Sequence, residues 1–190
     1  LPVAPILIDD TVSLDQAQLQ ASLDLEERRL APQRAAFVQH FRTAYRQYPA
    51  IPAGTLEALA YVQSRWMHML PEHDSQEEAH NRMPAAWGVM GLYHGQGFAD
   101  QVSEGARLLG VSADKVRTDP LTNILAAAAL LDAQSKRDHP QAGSARTLKG
   151  AALGPEAIAP ALARYAGYSA SPLAGGEVDS FARNSFAFDV

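Results

Sequence analysis

The 190-residue chain contains no cysteine, so neither a disulfide framework nor a thiolate metal site can hold it together. It has no excess of positive charge: 16 Lys and Arg against 21 Asp and Glu leave a net charge of −5, with both signs mixed along the chain. That balance argues against a phosphate-backbone partner, and no nucleic acid is expected. No apolar run approaches the roughly 20 residues that cross a bilayer, so no membrane span is expected either. There is no internal repeat, no Gly-x-Ser-x-Gly turn for a serine nucleophile, and no convincing strand pattern. What is present is ordinary globular composition, 47% hydrophobic, over a length that suits a single domain. A chain that begins at Leu1 rather than Met is expected to lack a leader or an upstream segment, and a secretory signal would be lost in that way.

The punctuation of the chain predicts an all-α protein. Residues 1–12, with Pro2 and Pro5, read as an extended N-terminal strap, and residues 13–190 as one helical domain. Ser13 and Gln16 have capping-box spacing and start a helix to about Leu30, which Pro32 is expected to interrupt. A second helix then carries Phe37, Phe41, Tyr45 and Tyr48 on one face. The next runs from Leu56 to about Leu70, where Leu56, Ala60, Gln63, Met67 and Leu70 share a stripe with Gln63 as its polar member. A stretch near 72–93 has room for one small β-hairpin. Helices follow to Leu109, stopped by Gly110, then from Ser112, then from Asp119-Pro120 to about Ala133. The segment from Asp138 to Pro155 reads as a long loop, and helices from Pro155 to Ala166 and from Glu177 to Phe188 close the chain.

Each residue with chemistry also has a plain structural reading. Gln63 on an apolar stripe is either a buried amide that satisfies backbone groups or a ligand contact. Ser64 near a helix end is a local backbone hydrogen-bonder or a ligand contact. Met90 and Tyr93 pack in the core or wall a binding groove, and Trp66 and Trp87 pack in the core or contact a ligand. Asp119, Pro120 and Asn123 are helix-start residues and are assigned to structure. His68, His73 and His80 are spaced by five and seven across an acidic loop; a solvated loop suits them better than a metal, so no metal site and no cofactor is expected.

Three segments in fixed order, Leu56-Glu57-Ala58-Leu59-Ala60-Tyr61-Val62-Gln63-Ser64-Arg65-Trp66, Gly88-Val89-Met90-Gly91-Leu92 and Asp119-Pro120-Leu121-Thr122-Asn123-Ile124, resemble the soluble lytic transglycosylase and goose-type lysozyme family. Ala163-Arg164-Tyr165-Ala166-Gly167 is similar to that family's Ala-Tyr-Asn-Ala-Gly stretch, with Tyr165 on its tyrosine. The resemblance covers residues 51–190. It implies a lysozyme-like fold that binds peptidoglycan glycan strands, with Gln63, Ser64, Met90, Gly91, Tyr93 and Tyr165 as ligand-binding residues.

Two departures bear on activity. Where the family carries its catalytic Glu this chain has Gln63, and Gly91 stands where the family has Gln. A carboxamide has the shape of a carboxylic acid but no proton to transfer, so Gln63 cannot protonate a glycosidic oxygen. Glu57 lies six residues earlier, about 120° around the helix, and does not inherit the role by position. The wording of the variant, Ile51-Pro52-Ala53-Gly54-Thr55-Leu56-Glu57-Ala58 through Trp66, also resembles the domain that precedes a zinc amidase in bacterial N-acetylmuramoyl-L-alanine amidases. The expectation is a degenerate, glycan-binding module of a periplasmic or secreted cell-wall amidase, its zinc amidase domain lying C-terminal to Val190. Two alternatives remain open: an active glycosidase or transglycosylase using Glu57 or a carboxylate between Glu72 and Glu78, and a protein-interaction or inhibitory module that uses the old cleft.

Overall fold

A computed structural model describes residues 11–71, 85–94, 99–138, 155–166 and 177–190. Among them, seven helices and one two-stranded sheet follow in the order α1 (Thr11–Gln47), α2 (Thr55–Ser64), β1 (Ala85–Trp87), β2 (Leu92–His94), α3 (Gln101–Leu109), α4 (Ala113–Thr118), α5 (Pro120–Asp138), α6 (Pro155–Tyr165) and α7 (Glu177–Asp189). The all-α expectation with one small hairpin holds. The expected strap lies outside the described residues except for Thr11 and Val12, which are helical, and the expected loop between Asp138 and Pro155 lies almost wholly outside them.

The chain divides into two units, Leu1–Ala36 and Phe37–Val190. In the first, the described residues form one helix whose side chains from Gln16 onward are largely exposed. Pro32 does not interrupt it, contrary to the sequence reading. Proline removes the bond to the carbonyl four residues back, but Arg28 is exposed, so water can serve that carbonyl and the helix continues.

In the second unit the core gathers Phe37, Phe41 and Ala44 from α1 with Leu56, Leu59, Val89, Met90, Leu92, Val102, Ile124 and Leu131. Helix α5 packs against α3, α4, α6 and α2, and supplies a run of buried alanines, Ala126 to Ala129, that lets its neighbours approach closely. Gly105 on α3 sits at such an approach, where a Cβ would lie 2.8 Å from the Cβ of Ala126.

Helix boundaries follow their caps. Asp100 accepts the Ser103 amide at 3.0 Å to start α3, and Gly110 in the left-handed region, φ 66°, ends it. Ser112 accepts the Lys115 amide at 3.2 Å to start α4. Helix α2 departs from the reading to Leu70: it stops at Ser64, because Arg65 and Trp66 both turn left-handed at φ 53° and 60°. Met67 and Leu70 therefore leave the helix stripe and are exposed, while Met69 forms a single bridge to Gly88.

Candidate functional site

The site is assembled around the tight turn of the hairpin. Strands β1 and β2 pair antiparallel with Ala85 opposite His94 and Trp87 opposite Leu92, leaving Gly88 to Gly91 as the connection. Two glycines in it are required by space as well as by backbone. Gly88 has φ 73°, and a Cβ there would stand 2.2 Å from the Asn123 carboxamide; Gly91 has φ 57°, and a Cβ there would stand 2.9 Å from the Cβ of Gln63. The turn is thus pressed between the end of α2 and the start of α5.

Polar side chains fix it there. Asn123, fully buried, accepts the Met90 amide at 2.9 Å and donates to the carbonyls of Trp87 at 3.1 Å and Val116 at 3.0 Å. One side chain thereby satisfies two buried backbone groups and one half-buried one, and ties α5, the hairpin and α4 together. Ser64, also buried, places its hydroxyl between the carbonyls of Ala60, 2.9 Å away, and Val89, 2.5 Å away, which docks α2 on the turn. Gln101 at the start of α3 accepts the Tyr93 amide at 3.0 Å and donates to the Tyr165 carbonyl at 2.6 Å, which joins β2 to the end of α6. Asp119 caps α5: its carboxylate accepts the Thr122 amide at 2.8 Å and the Thr122 hydroxyl. Burial works against the charged form of Asp119, but those two Thr122 donors outweigh it and hold the carboxyl below its ordinary range.

The residues expected in the site are therefore neighbours, in different settings. Gln63 is half-buried on the last turn of α2 beside Gly91, and its carboxamide makes no hydrogen bond to a described residue. Ser64 is engaged with backbone. Met90 is enclosed in the core, and Tyr93 is almost enclosed. Tyr165 stacks on Phe186, centroids 6.4 Å apart and planes 19° apart, and its buried hydroxyl has no hydrogen-bond partner among the described residues. Burial, with Tyr93 nearby, pushes that phenol well above its ordinary range, so it stays protonated and keeps a donor to offer. Of the two tryptophans, Trp66 packs on Phe41 and donates to the Glu57 carbonyl at 2.9 Å, while Trp87 lies under the Arg117 guanidinium, 5.1 Å from its centroid.

The carboxylates on these elements are occupied. Glu57 accepts the Tyr45 hydroxyl, and that oxygen in turn accepts the Leu56 amide at 2.9 Å. Burial first, and then the bond to Glu57, push the Tyr45 phenol above its ordinary range. Asp100 caps α3 and meets His94 at 3.0 Å. His68 donates from Nε2 to the Thr118 carbonyl at 3.1 Å, and its buried Nδ1 has no partner among the described residues; burial lowers the pKa of the ring. No group of three or more potential metal ligands occurs among the described residues; His73, His80 and the acidic residues from Glu72 to Glu78 lie outside them. Sequence reasoning missed Asn123 and Gln101 as the ties of the site. The signal for Asn123 was a carboxamide opening the apolar run Ile124 to Leu131, where an unbonded amide would be costly.

The chain matches no model of a known protein family, no characterised protein and no solved structure.

Proposed function

We propose that the second unit is a catalytically degenerate lysozyme-like module that binds peptidoglycan glycan strands without cleaving them. One observation carries the reading: three of the segments that bear the sequence resemblance meet at the glycine turn, the fourth is tied to β2 through Gln101, and the carboxamide at the acid position, Gln63, has no hydrogen bond to a described residue. Those segments are separated by up to about a hundred residues, so their meeting is not a consequence of sequence proximity. Structural amide roles are filled by Asn123 and Gln101, which leaves Gln63 with a donor and an acceptor for a hydroxyl- and acetamido-bearing ligand. The engagement of Glu57 by Tyr45 counts against that carboxylate as a substitute acid. We place the module in the periplasm or outside the cell, working beside a zinc amidase domain C-terminal to Val190 that cuts while this unit holds the wall. Fold resemblance alone does not decide activity, so the reading rests on the Gln63 position.

Co-sedimentation with purified sacculi tests binding. The chain should pellet with sacculi, and Gln63→Ala should weaken retention by about threefold to tenfold, the range for one or two lost hydrogen bonds to ligand. A wild-type chain that stays in the supernatant, or a Gln63→Ala variant that binds as well as wild type, would contradict the proposal.

A further inference from the structure

Helix α1 carries, within Leu1–Ala36, a row of apolar residues that the described residues of that unit leave wholly or partly exposed. Leu19 and Leu23 are 59% and 50% exposed, and Leu30 is part-exposed. With Val12, placed by register alone, they fall at spacings of seven, four and seven, within about 40° of one another at 100° per residue. That is the seam of a coiled coil rather than the broader stripe of a globular helix. Helices in proteins take most of their stability from packing an apolar face, and leucines at such a spacing need a partner.

The order of residues along the seam identifies the partner. Written as successive seam positions it reads Val12, Gln16, Leu19, Leu23, Glu26, Leu30. This order is palindromic in character: apolar, polar, apolar, apolar, polar, apolar. A second copy running antiparallel, centred on Ala21, sets Leu19 against the other copy's Leu23, Leu30 against Val12, and the Gln16 amide against the Glu26 carboxylate. The flanks agree. Antiparallel pairing brings Asp15 beside the second copy's Arg29 on both sides of the two-fold axis, and Gln20 and Ser22 each beside themselves. Among the described residues Arg29 makes a long, exposed contact to Glu26 at 3.9 Å. A parallel pair would instead stack Glu26 on Glu26 in the seam and set Arg29 beside Arg34. We infer that the N-terminal half of α1 is an antiparallel homodimerisation helix, a role that does not depend on what the second unit binds.

Sedimentation equilibrium of the full chain tests this between about 1 and 100 µM, the range in which a short helix pair associates. At the upper end the mass should be twice the 20.4 kDa chain. Leu23→Glu should return the single-chain mass, whereas Leu25→Glu should not, since Leu25 is 70% exposed on the far side of the helix. Asp15→Arg and Arg29→Asp should each weaken association at least about tenfold, and the double variant should restore it. A single-chain mass at the highest concentration, a dimer that survives Leu23→Glu, or a double charge swap that fails to restore pairing would each overturn the inference.

Discussion

Asn123 and Gln63 are both carboxamides beside the same glycine turn, and they differ in what their side chains bond. Asn123 serves the Met90 amide and the Val116 carbonyl, both buried, and the half-buried Trp87 carbonyl. Asn123→Ala would leave three backbone groups unpaired at a buried site, and should cost about 2–4 kcal/mol in denaturant unfolding. Gln63 bonds to no described residue, so Gln63→Ala should stay within about 1 kcal/mol of wild type in the same measurement. The contrast separates a residue kept for folding from one available to ligand. Sequence alone assigned Asn123 to structure for its helix-start chemistry but left both readings of Gln63 open. Periodicity places a residue on a face; it does not reveal which of two amides the backbone of a distant hairpin will claim.

At the scale of elements, legibility followed the caps. Helices α3, α4 and α5 begin at Asp100, Ser112 and Asp119, whose side chains accept amides of their own first turns, so local chemistry marks these starts whatever the tertiary context. The end of α2 was not legible. No glycine or proline stands at Arg65-Trp66, and the apolar spacing runs on to Leu70; the left-handed turn is held by packing of Trp66 on Phe41 and its bond to Glu57, which are tertiary facts. Capping also sets a pH dependence. Asp119 and Asp100 have folded pKa values below their ordinary ones, since donors from Thr122, and from His94 and Ser103, outweigh burial in each case. Groups depressed in this way contribute stability above their unfolded pKa, and that contribution is lost as pH falls through the folded value. Thermal unfolding should therefore move to lower temperature below about pH 4. Asp119→Asn keeps a capping acceptor without the titration, so its loss between pH 5 and pH 3 should be smaller than that of wild type. An unchanged or larger acid loss would remove Asp119 from the account.

At the scale of the whole molecule, a net charge of −5, the absence of cysteine and the absence of a long apolar helix among the described residues narrow the partners without naming one. The helical class was legible because the stop at Gly110 and the starts at Ser112 and Asp119-Pro120 agree with the apolar spacing. The division at Phe37 was not, because one helix runs through it and no change of composition marks the place. The central claim is that this scaffold holds glycan and does not cut it. Its most direct test is mass spectrometry of the soluble fraction after the purified chain has been incubated with sacculi. The account predicts no muropeptides above a buffer control while the chain itself pellets with the sacculi. Anhydro or reducing-end muropeptides released above that control would contradict it, and would send the search for the acid that Gln63 lacks to Glu57 and to the carboxylates between Glu72 and Glu78.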